Sequence, residues 1–234
     1  MTFDPALGTN QELEDLRVSY RTTTPDTDFL EFGYWVTTTE TGSEVRHVID
    51  TFAIAEGHGA LAADVTSLQG KATYNGPAAG IYVHKAGIDD SLAVSNGEFV
   101  ASASLTAQFG VADGSAAAAD QWAVTGKISG FQSTNGGHDL SSWDLMLGKA
   151  DLGDRDATAG TATATNADFV GFTGKTSGGA GTVQGDWSGT FFGGAPETSD
   201  TDTADDFPTA AIGEFNGHFV NGHVAGAFGV EYDD

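Results

Sequence analysis

The chain has 234 residues, enough to bury a core in one large domain or two small ones, and it carries 33 Asp and Glu against 9 Lys and Arg. The formal net charge of -24 repels nucleic-acid phosphates and anionic membrane surfaces, which excludes nucleic acid as a partner. Cysteine is absent, so disulfides, thiolate nucleophiles and cysteine-based zinc sites are excluded as well.

Residues 1–28 read as a polar N-terminal extension in which Asn10 to Arg17 (NQELEDLR) suits a helical turn or two. Two strands follow at 29–38 and 45–55, the second reading VRHVIDTFAIA, and they define a small β subdomain over 29–66. A loop at 56–68 carries Glu56-Gly57-His58-Gly59 and leads into the remainder of the chain.

From 67 to 234 the apolar residues alternate with period two. In 98–109 (EFVASASLTAQF), Phe99, Ala101, Ala103, Leu105, Ala107 and Phe109 share one face, and Glu98, Ser102, Ser104, Thr106 and Gln108 the other. The same alternation puts Trp122, Val124 and Ile128 on one face of 121–131, and Trp143, Leu145 and Leu147 on one face of 142–148. Further strands are predicted at 167–174, 182–192, 209–220 and 223–231. Asn221-Gly222 supplies the residue pair of a two-residue hairpin turn, while Asn75-Gly76, Asn96-Gly97 and Asn135-Gly136 mark other strand ends.

Evenly spaced antiparallel strands without helices predict an all-β meander of about eight strands, and closure into a barrel leaves such a meander without exposed edges. Glycine recurs inside the strands, at Gly185, Gly189, Gly213, Gly217, Gly226 and Gly229, although each weakens a strand by roughly 0.5–1 kcal/mol relative to alanine. Curvature, or an aromatic ring lying over the backbone, justifies that cost, and Trp187, Phe191, Phe215, Phe219 and Phe228 are the rings available to fill the lumen.

The runs GKATYNGPAAGIYV (70–83), FVASASLTAQF, GDWSGTFFG (185–193) and AIGEFNGHFVNGHVAGAFGVEY (211–232) together resemble the β-barrel domain of the transferrin-binding protein B family of Gram-negative bacteria. FLEFGYWV at 29–36 resembles the segment before that barrel in the family's shorter members. The resemblance implies a surface or secreted binding protein, in a family that holds transferrin receptors, complement-regulator binders and haem-capturing proteins. This chain has the length for one barrel, not two lobes.

No stretch reaches the roughly 20 apolar residues of a membrane helix, so no transmembrane segment is expected. The start MTFDPALGTN lacks the charged and apolar regions of a signal peptide, and the expectation is of an exported protein whose signal has been removed. There is no GxSxG or HExxH spacing and no distinct carboxylate pair, so no enzymatic activity is expected.

Six histidines are the groups suited to haem or near-neutral proton chemistry. His218, His223 and His138 read as solvent-facing, and His47 as a polar-face residue. His58, in a glycine-flanked loop, and His84, near a strand end, remain as candidate haem ligands. Tyr34, Trp35 and Tyr82 are candidate ligand contacts, provided that they are exposed. The acidic runs DLGDRD (151–156) and DTDTADD (200–206) offer oxygen ligands for calcium but lack the spacing of a calcium loop. Three functions stay open: a binder of a protein ligand through barrel-mouth loops, a scavenger of haem or another small molecule, and a self-assembling structural module of a surface layer, filament or adhesin.

Overall fold

The computed structural model describes residues 15–21, 30–41, 44–55, 60, 68–85, 94–110, 122–134, 138–152, 155–156, 161–162, 171–178, 181–193 and 207–233. Its strands are β1 (Asp15–Arg21), β2 (Leu30–Thr41), β3 (Glu44–Ala55), β4 (Gly70–Lys85), β5 (Val94–Phe109), β6 (Ala123–Ser133), β7 (Leu145–Leu152), β8 (Arg155–Asp156), β9 (Thr161–Ala162), β10 (Gly171–Gly178), β11 (Gly181–Phe192), β12 (Ala210–Phe219) and β13 (Gly222–Asp233). Eight of them close an antiparallel barrel in the order β10-β11-β12-β13-β4-β5-β6-β7, the all-β architecture that the alternation predicted. No helix occurs among the described residues.

β1, β2 and β3 form a separate three-stranded antiparallel sheet, so the small subdomain reaches back into the segment read as an extension. Asp15, Leu16 and Arg17 are in β1 rather than in a helical turn, because Leu16, Val18 and Tyr20 alternate and β1 finds a partner in β2. The sheet lies against the barrel wall: β2 and β3 approach β13, β3 also approaches β12, and β1 and β2 approach β4. On that wall Ala79, Ala210, Ile212 and Ala227 point away from the lumen and yet are at most 4% exposed. The three alanines there let a second sheet come close.

Inside, the lumen is filled by rings. Trp143, Trp187, Tyr74, Tyr82, Phe99, Phe109, Phe131, Phe191 and Phe228 are each under 2% exposed, and every one contributes roughly 1.5–3 kcal/mol by leaving water. An eight-stranded barrel is just wide enough for side chains to meet across it, so a ring on one strand needs a gap on its neighbour. Gly213 and Gly226 supply such gaps: a Cβ at the first would stand 2.5 Å from Phe228, and at the second 2.9 Å from Phe215 and 3.0 Å from Phe99.

Three sequence expectations need correction. Asn75-Gly76 and Asn96-Gly97 do not end strands; they lie within β4 and β5, where Gly97 leaves room for the Tyr82 ring at 2.8–3.0 Å from a would-be Cβ. Trp122 leaves the strand pattern with a φ of 62°, ahead of the β6 ladder, though its side chain still packs on the core. The strand expected over 167–174 continues to Gly178, where its register is set by the ladders to β7 and β11, while 167–170 lie outside the described residues. Asn135-Gly136 lies outside the described residues.

Two buried tyrosines meet opposite conditions. Tyr82 shares a hydrogen bond with the Ser133 hydroxyl at 3.0 Å, whereas the Tyr74 hydroxyl is buried without a partner. Burial, followed by the neighbouring Tyr232, pushes the Tyr74 phenol far above its ordinary pKa, so it stays neutral. A lone buried hydroxyl costs about 1–3 kcal/mol, while a made hydrogen bond contributes about 1 kcal/mol. Urea denaturation should therefore give opposite signs: Tyr74→Phe stabilises the barrel by up to about 1 kcal/mol, and Tyr82→Phe destabilises it by about 0.5–1.5 kcal/mol.

Candidate functional site

The candidate site is the barrel end where β4 runs out, β12 turns into β13, and the β6–β7 connection folds across the opening. Phe219 pairs with Gly222, so the hairpin reverses through Val220 and Asn221, one residue earlier than the Asn-Gly reading predicted. Neither turn residue has a positive φ. The Asn-Gly pair serves Trp143 instead: a Cβ on Gly222 would stand 2.7 Å from the indole, and Asn221 Oδ1 accepts the indole N–H at 3.1 Å.

Trp143 plugs this end. Its ring stacks on Phe219 at 4.5 Å between centroids and 12° between planes, and meets Tyr82 edge-on at 6.2 Å. It gets there because the connection is tightly turned: the Ser141 N–H donates to Asp139 Oδ1 at 2.9 Å, and the Trp143 N–H donates to the Leu140 carbonyl at 2.9 Å. The Ser141 side chain and backbone hold the Asp139 carboxyl below the usual aspartate range.

The same turn lays His138 over His84. Their rings stack at 4.3 Å and 16°, and His84 in turn stacks on Trp143 at 6.1 Å and 23°. Because Asn221 Oδ1 is taken by the indole, its amide NH2 faces His84 Nε2 at 3.4 Å, and that nitrogen must accept. The proton of neutral His84 then sits on Nδ1, which is buried and has no partner. Desolvation first, and His138 second, lower the His84 pKa, and a proton on Nε2 would also face the amide donor.

Of the sequence-predicted residues, Tyr82 and His84 come together at this end, both against Trp143. His84 is at this end with neither ring nitrogen open to an iron atom. His58 lies outside the described residues. Tyr82 is 1% exposed and faces the lumen, so the exposure required of a ligand contact is not met. Tyr34 and Trp35 lie on β2, in register with Thr51 and Asp50 of β3. His218 and His223 face solvent as read, but His138 does not: it is half-buried on His84. No local pattern could have paired positions 84 and 138.

Of the acidic runs, DTDTADD lies outside the described residues, and DLGDRD spans the end of β7 and the start of the short β8–β9 hairpin. Asp151 there pairs with Lys149 at 3.6 Å. No group of three or more His, Asp or Glu able to hold a metal converges among the described residues. On the outer wall a polar groove of about 400 Å³ lies between Thr51 of β3 and Thr173, Asp186, Ser188, Glu214 and Asn216 of the barrel. Lys175 bridges to Asp186 at its rim.

Gly222→Ala drives a methyl group into Trp143 and the Val83 carbonyl, and thermal or urea denaturation should show a loss of about 1–3 kcal/mol. A depressed histidine pKa makes the unfolded chain the better proton acceptor. The His84 contribution is complete above the ordinary imidazole value of 6.5, declines as pH falls through it, and stops declining below the lowered folded value. Melting temperatures from about pH 8 to about pH 5 should fall less steeply in His84→Gln than in the parent protein.

The chain matches no protein-family model and no curated protein.

Proposed function

We infer that this is a non-catalytic binding module of the bacterial cell surface or extracellular space, which recognises a protein ligand through the connections at its barrel ends. The observation that carries this reading is the filled lumen: nine large side chains under 2% exposed turn the barrel into a solid support. Strands so packed tolerate little change, whereas the connections are free to vary in length and chemistry. The resemblance to transferrin-binding protein B barrels supports a Gram-negative surface or secreted location.

The filled lumen also weighs against a carrier that holds haem or another small molecule inside the barrel, since any such ligand would sit outside the packed rings. At the plugged end, Thr134 follows β6 and Ser142 precedes Trp143, and both are exposed, while Thr125 is exposed on the wall of β6. Photo-cross-linkers at these three positions, with the protein exposed to the extracellular medium of its host environment, should give a discrete protein adduct from Thr134 or Ser142 and none from Thr125. Adducts from Thr125 alone, or from no position, would overturn the reading. A saturating haem Soret band lost in His84→Ala or His58→Ala would replace it with the scavenger.

A further inference from the structure

We propose that His218 and His223 form a surface site for a divalent transition cation of the zinc and copper class. The two residues are direct cross-strand partners on β12 and β13, and the next pair, Phe219 and Gly222, closes the hairpin. Phe219 and Val224 are buried toward the lumen, so their neighbours His218 and His223 both point outward, and both are exposed. Their rings stack at 3.8 Å between centroids and 27° between planes.

The cross-strand pairing suits shared ligation, since directly opposed residues hold their Cβ atoms about 4.5–5.5 Å apart. A tetrahedral cation bonded to two imidazoles at 2.0–2.1 Å holds their nitrogens about 3.3 Å apart and lies in the plane of each ring, so binding swings the two rings out of their stack about χ1 and χ2 while the backbone stays in place. The tight hairpin fixes the two Cβ atoms, so little further ordering is needed when a cation binds. Imidazole nitrogen selects zinc, copper and nickel over magnesium and calcium, and a chain of net charge -24 enriches cations at its surface. Among the described residues no group of three or more His, Asp or Glu includes the pair, so the two imidazoles are the protein ligands named for the cation. The stacked pair at His84 is not a competitor, because Asn221 engages one ring nitrogen and the other is buried.

Chelator-treated full-length protein titrated with Cu2+ should show, by electron paramagnetic resonance, one equivalent with superhyperfine splitting from two imidazole nitrogens. Calorimetry with Zn2+ should show at least tenfold weaker binding in His218→Gln and in His223→Gln, with melting temperatures unchanged. His84→Gln and His138→Gln should leave both signals intact, and acidification to about pH 5 should release the cation, since only neutral imidazole ligates. A two-nitrogen spectrum that survives His218→Gln or His223→Gln, one that disappears in His84→Gln, or copper bound through oxygen alone would overturn the site and leave a simple stacking pair.

Discussion

An eight-stranded barrel stands only if what points inward fills a narrow cylinder, and here rings lying over glycines meet that condition. Phe228 occupies the space that a Cβ on Gly213 would need, and Phe99 and Phe215 converge on the space above Gly226. Each glycine costs its strand some conformational stability, and each ring regains several times that amount by leaving water. The closed ladder follows, because a lumen packed to this degree keeps every strand at one distance from the barrel axis and leaves no strand of the barrel unpaired.

Closure has consequences at the two ends and on the wall. The end near His84 is sealed by Trp143, whose indole is satisfied by Asn221 and whose approach is permitted by Gly222. That one plug orients the Asn221 amide, which selects the His84 tautomer, and brings His138 onto the His84 ring. A packing requirement thus sets the chemistry of His84. On the wall, small outward residues such as Ala79 and Ala227 accept the three-stranded sheet, so the barrel is packed on both faces where β12, β13 and β4 run.

The charge is arranged accordingly. On the outside of the barrel, acids pair with the few bases, as Asp144 does with Lys127 at 2.8 Å and Asp186 with Lys175. Such exposed pairs contribute little stability, about 0–1 kcal/mol each, and serve solubility and the attraction of cations or basic surfaces instead. Stability resides in the neutral interior, while the charge is carried on the exterior.

The all-β class, the number of barrel strands and most inward faces were legible in the sequence, because period-two alternation directly records which side of a strand is buried. Phe99 to Phe109 on β5, and Trp187, Phe191, Phe215, Phe219 and Phe228 as lumen rings, follow from that alternation alone. Long-range contact decided the rest. The Asn-Gly signal at 221–222 was local and correct about a reversal, yet the glycine answers to Trp143, which is distant in the chain. Leu16 to Tyr20 became a strand because β2 offered a partner. His138 looked like a loop residue and is stacked on His84, and His218 and His223 were each read correctly as exposed while their stacking went unseen. A sequence determines faces through its own periodicity, but which faces meet is decided only when the ladder closes and sets the register between strands.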